Sequence, residues 1–185
     1  MTTLDSPAAT GIAPALCRLY FVRFAFAIVW AVLLFAAQAR LGPLGIALVV
    51  VYPLFDVAAA VVDARSSRTS RPALGLYVNI AISLVAAAGL AVAATSGVPA
   101  TLRVWGAWAI VAGLVQLTVA VVRRAMGGQW PMILSGGISV LAGGSFIAGA
   151  SASDPSLTNV AGYAVLGGIF FLVSAIRLGR AAKQR

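Results

Sequence analysis

A chain of 185 residues that is 62% hydrophobic and only 9% charged, with mean hydropathy +1.03, carries more apolar surface than a water-soluble fold of this length can bury. Lipid must be the solvent for most of it. The net charge of +9 comes from basic residues in small groups between long apolar runs. That is how loops at a membrane surface are charged, and it lacks the continuous basic face a nucleic-acid binder needs, so no nucleic-acid partner is expected.

A helix crossing a bilayer needs about 20 apolar residues. After a flexible tail over residues 1–17, six stretches meet that need: Leu19–Ala39, Gly42–Val62, Ala73–Ala94, Leu102–Val122, Trp130–Ala150 and Asn159–Ile176. Residues 18–178 therefore form a transmembrane bundle, and 179–185 a basic tail. The spans are separated by clear punctuation: "ARSSRTSRP", the tight turn "TSGVPA", "RRAMGGQWP" and "SASDPSLTN". Helices are required because lipid offers no partner to an open backbone group. The fold class is all-α, a polytopic membrane protein of six transmembrane helices.

Orientation follows from the basic residues. Arg18, Arg23, Arg65, Arg68, Arg71, Arg123, Arg124, Arg177, Arg180, Lys183 and Arg185 fall on one side, and only Arg40 and Arg103 on the other. The positive-inside rule puts the first group, with both termini, in the cytoplasm of a bacterial inner membrane. Twelve arginines against one lysine, with abundant Ala, Gly and Val, fit a GC-rich bacterial genome. Ala37-Gln38-Ala39 resembles a signal-peptidase site, and cleavage there would leave five spans with the same loop orientation. The length of the first span and the acidic Asp5 in its leader favour an uncleaved anchor. Cys17, the only cysteine, is expected to be a free thiol at the interface.

The even-numbered spans share their ends. "PLFDVAAAVVDAR" lies over "GLVQLTVAVVRRA", which sets Asp56 on Gln116, Ala60 on Ala120 and Val61-Val62 on Val121-Val122. "GIFFLVSAIRLGR" is a third copy, with Gly168, Phe171 and Ala175 on Gly113, Gln116 and Ala120. Among the odd-numbered spans, "NIAISLVAAAG" matches "SGGISVLAGGS". The chain thus reads as three parallel-repeated helical hairpins, each starting from the same side. Ser83-x-x-x-Ala87 and Ser139-x-x-x-Gly143 place small side chains one turn apart, where helix backbones approach closely. Such faces serve packing within the chain or between copies, so the expected partners are the lipid bilayer and a homo-oligomer.

At these residues the chain resembles the HdeD family of acid-resistance membrane proteins. The resemblance lies in the six short spans, the hairpin repeat and "GAWAIVAGLVQLTVAVVRRAMGGQWPMILSGGISVLAGG", echoed by "GYAVLGGIFFLVSAIRL". It covers about residues 73–178 well and the first hairpin loosely; at "YPLFD" the chain departs from the pattern, with Pro53 where the other copies have glycine. The resemblance implies a non-enzymatic membrane protein associated with acid or envelope stress, and it carries no catalytic or ligand residues across.

The chemical inventory is sparse. There is no histidine or glutamate, and the aspartates are Asp5, Asp56, Asp63 and Asp154. Convergent metal ligands and a histidine-assisted nucleophile cannot be assembled, and no phosphate-binding loop is present. No catalytic residue, metal or cofactor is expected. Asp56, within an otherwise apolar span, is the exception. It lies roughly 9 Å inside Val62 at helical rise, where an unpaired carboxylate costs on the order of 3 kcal/mol. Arg23 in the first span is the expected partner, reaching inward on its long side chain. Asp56, Arg23 and Gln116 form a candidate intramembrane polar layer with two readings. One is an ion pair that docks the first two helices. The other is a titrating site in a proton or small-solute channel or transporter. Pro53 is expected to bend the helix beside Asp56. Asn79, Ser83, Ser135 and Ser139 are expected to form hydrogen bonds between helices.

Overall fold

A computed structural model describes residues 7–37, 40–66, 74–122 and 130–183. The described residues fold into six helices: α1 (Pro7–Ala36), α2 (Pro43–Ser66), α3 (Leu74–Thr95), α4 (Val98–Val122), α5 (Trp130–Gly149) and α6 (Thr158–Lys183). No strand occurs among the described residues. Five helices are long and apolar enough to cross a membrane: Ala15–Ala36, Pro43–Arg65, Leu74–Thr95, Val98–Thr118 and Thr158–Arg180. α5 has a shorter apolar stretch, Ile133–Gly149. Its 20 residues still span about 30 Å at 1.5 Å rise. The expected six spans are therefore present as helices, with α5 the marginal one.

The boundaries differ from the sequence reading at both ends. α1 is helical from Pro7, inside the stretch read as a tail, and α6 runs to Lys183. The basic connections 67–73 and 123–129, Gln38-Ala39 of the candidate cleavage site, and residues 1–6 with Asp5 lie outside the described residues.

The helices form a closed ring in chain order. Packing is closest between α2 and α3, between α4 and α5, and between α6 and α1; it is looser within the pairs α1–α2, α3–α4 and α5–α6. The sequence hairpins are thus the loose pairs, and the close pairs straddle them. This alternation has three repeats around the ring, as the sequence does.

Helices apolar all round have no polar face to orient them, so side-chain size decides which face turns inward. Just over half of the buried apolar residues are alanine, while Val85, Val92, Leu141 and Trp130 point outward. Against lipid there is little to gain by burying a large aliphatic side chain, and much to gain from close backbone approach. The α4–α5 pair carries this furthest. A Cβ on Gly106 would lie 2.5 Å from the Gly143 carbonyl oxygen, and one on Gly113 2.8 Å from that of Gly136. Glycines seven residues apart on each helix thereby seat two antiparallel backbones against one another. Between α3 and α4 the tight turn depends on Gly97, whose φ of +99° is a conformation that side chains with a Cβ rarely adopt. Cys17 is a free thiol but half-buried, its Sγ donating to the Ala175 carbonyl 3.4 Å away on α6.

Candidate functional site: a carboxylate within the ring

Asp56 sits about 15 Å from Ser66 at helical rise, deeper than expected because α2 continues past Val62. Its carboxylate is fully engaged. Oδ1 pairs with Arg23 Nη2 of α1. Oδ2 accepts from Asn79 Nδ2 at 2.7 Å and from Ser83 Oγ at 2.9 Å, both on α3. Trp108 Nε1 of α4 donates to Ser83 Oγ at 3.3 Å. The Arg23 guanidinium also lies 4.2 Å from the centre of the Phe171 ring of α6, a cation–π contact. One carboxylate therefore links, directly or through one neighbour, α1, α2, α3, α4 and α6.

The arrangement follows from helical spacing. Asn79, Ser83 and Ala87 lie one turn apart on α3, so two donors and a small residue share the face turned towards α2. Ser83 and Ala87 are buried, as their small-residue spacing predicts. The sequence reading missed that Asn79 and Ser83 bind this carboxylate, although the spacing was there to be read. It also expected Gln116 in the layer. Gln116 is partly exposed on α4 and has interactions of its own, while the contacts described for Asp56 are those with Arg23, Asn79 and Ser83.

The other small-residue pair behaves differently. Ser139 Oγ donates to the Ser135 carbonyl at 2.9 Å and lies 2.8 Å from the Tyr163 hydroxyl of α6, which must then supply the proton of that second bond. Gly143 meets the α4 backbone. At this α5–α6 seam, the loosest in the ring, Ser135, Ser139, Tyr163 and Phe170 line a cleft of about 30 Å³.

Towards the opposite end from the chain termini, aromatic rings fill the middle of the bundle. Trp30 stacks on Trp105 at 5.5 Å, and Tyr52 meets Trp30, Trp105 and Trp108 at 4.7, 5.6 and 6.2 Å. Phe26 stacks on Phe55 at 3.7 Å. Pro53 is buried inside α2 and, lacking an N–H, leaves the Val49 carbonyl without its usual helical donor. The neighbouring Leu48 carbonyl accepts a 2.7 Å hydrogen bond from Trp30 Nε1. Among the described residues no three His, Cys, Asp or Glu side chains converge. Compared with family models, with curated proteins and with solved structures, the chain matches none. The fold and composition define an integral, multi-pass membrane protein.

Proposed function

We propose that this is a non-enzymatic protein of the bacterial inner membrane, of the HdeD-like type, with both termini in the cytoplasm and a role in acid or envelope stress. The observation that carries the non-catalytic part is the saturation of Asp56. A carboxylate that already accepts from Arg23 on α1 and from Asn79 and Ser83 on α3 has both oxygens committed to neighbouring helices, which makes it a tie between them. The stress role rests on the resemblance of residues 73–178, and the orientation on the distribution of arginines.

The test is survival of the host bacterium after acid challenge. A strain lacking the chain should survive less well. Rescue is expected from the native chain and from a paired variant, Arg23→Gln with Asp56→Asn, brought to equal abundance in the membrane. Unchanged survival of the deletion strain would remove the stress role. Failure of the paired variant at equal abundance would instead make Asp56 part of a proton path, the channel or transporter reading.

A further inference from the structure

Helix α5 carries two neighbouring depressions, one on each flank. On the α4 side, a groove of about 310 Å³ is lined by apolar residues only, among them Trp130, Leu134, Gly137, Ile138 and Leu141. Trp130, Leu134 and Leu141 are exposed, so the groove lies on the outer surface of the bundle. A Cβ on Gly137 would meet nothing within 4 Å. On the α6 side is the cleft of about 30 Å³ bearing Ser135, Ser139 and Tyr163, and the exposed Leu166 also lines it. Ile138 lines both depressions.

The proton count in the cleft is one-sided. The Ser139 proton goes to the Ser135 carbonyl, and the Tyr163 proton goes to Ser139 Oγ. These two hydroxyls have no proton left to give, while the Tyr163 oxygen keeps lone pairs with which to accept. Ser139 stands midway along α5, at the depth of acyl chains rather than of headgroups.

We infer that the outer flank of α5 binds a single-chain lipid alcohol, its chain in the groove and its hydroxyl donating to Tyr163 Oη in the cleft. Ligand sites are mostly apolar with a few polar groups that fix orientation, and the groove and cleft divide those roles. A hydroxyl within hydrocarbon has no partner, and an acceptor at that depth supplies one. A phospholipid keeps its polar groups at the interface and brings the groove a chain but the cleft nothing. A lone water fits the cleft by size and leaves the groove as it is. The α5–α6 seam is also the loosest in the ring, so a guest enters there at the least cost in packing.

The experiment is a titration of the full chain in detergent with a bromine-labelled stearyl alcohol and, separately, with the methyl ether of the same chain. Bromine quenches tryptophan fluorescence on contact. Trp130 is the tryptophan that lines the groove, while Trp30 and Trp105 are buried. We expect saturable quenching by the alcohol, and the ether should need a severalfold higher concentration. Tyr163→Phe removes the acceptor, so the alcohol should fall to the level of the ether while the ether is unchanged. Gly137→Leu should weaken both, since its side chain enters the open groove rather than the protein. Equal quenching by the two probes on the native chain would overturn the site, leaving partition of any chain into the groove or a cleft that holds only water. A full preference for the alcohol in Tyr163→Phe, or native binding in Gly137→Leu, would overturn it as well. The lipid site does not depend on the stress role, and either can fail alone.

Discussion

At the scale of single residues, the chain keeps one carboxylate in its apolar interior by surrounding it with donors. Arg23 and Asp56 are only 18% and 13% exposed, so their pairing is sheltered from bulk solvent. Asp56→Asn leaves the guanidinium without its counter-charge. Breaking a buried pair at one end typically costs about 3–5 kcal/mol, less here because Arg23 can extend towards the interface. The variant should melt lower, and adding Arg23→Gln should recover part of the loss. Melts of all four combinations check this, and a coupling energy near zero would mean that the pair contributes nothing. The pair itself was legible in the sequence, because a carboxylate so far inside a span needs a cation and Arg23 lay at a compatible depth. Its two other donors were less so. Asn79 and Ser83 look like ordinary polar substitutions in an apolar run until α3 is seen to turn that face to α2.

At the scale of helices, glycine position matters more than hydrophobicity. The sequence reading picked out small residues four apart, and the closest approach instead uses glycines seven apart, Gly106 with Gly113 on α4 and Gly136 with Gly143 on α5. Uniformly apolar helices give no periodic signal to select one face, and this is why the spacing was not evident. Gly143→Ala would put a methyl group 2.5 Å from the Gly106 backbone oxygen, which cannot rotate away. Overpacking of this kind typically costs about 1–3 kcal/mol. Gly137 and Gly144 on the same helix have nothing within 4 Å of a Cβ. Alanine there should be neutral or slightly stabilising, as helix propensity favours it over glycine. Denaturation of the four single variants Gly106→Ala, Gly143→Ala, Gly137→Ala and Gly144→Ala separates the two groups. Equal stability across them would refute the close α4–α5 seam.

At the scale of the whole molecule, composition pointed to the membrane and the six apolar stretches gave the number of helices, because apolar length and basic punctuation are both long-range signals. The order of packing was not legible, since single-sequence periodicity does not say which neighbour a helix prefers. The orientation is testable by labelling. In a Cys17→Ala background, a cysteine replacing the exposed Ser153 between α5 and α6 should react with an impermeant thiol reagent added outside intact cells. Cysteines at Ser67 and Gly128, which lie outside the described residues, should not. Labelling of the latter two from outside would invert or break the proposed topology.

The close pairing of α6 with α1 makes the first and last of the six helices one of three tight pairs. Tyr20 stacks with Phe171 at 6.1 Å, and a Cβ on Gly168 would meet the Ala27 Cβ at 3.2 Å. In the two other tight pairs, the end of the first helix and the start of the second lie at the same end of the bundle as the start of α1 and the end of α6. A circular permutant should therefore fold. The end of α6 would be joined to the start of α1 by a short flexible linker, and new ends opened between α4 and α5. The order of helices around the ring would not change, and α6–α1 would become a connected pair like α2–α3. Such a permutant should insert with the parent's helical content and melt within a few degrees of it, as judged by circular dichroism in detergent. Failure to insert would show that the break between α6 and α1 is needed for assembly, with the last helix docking onto the first only after the other four are in place.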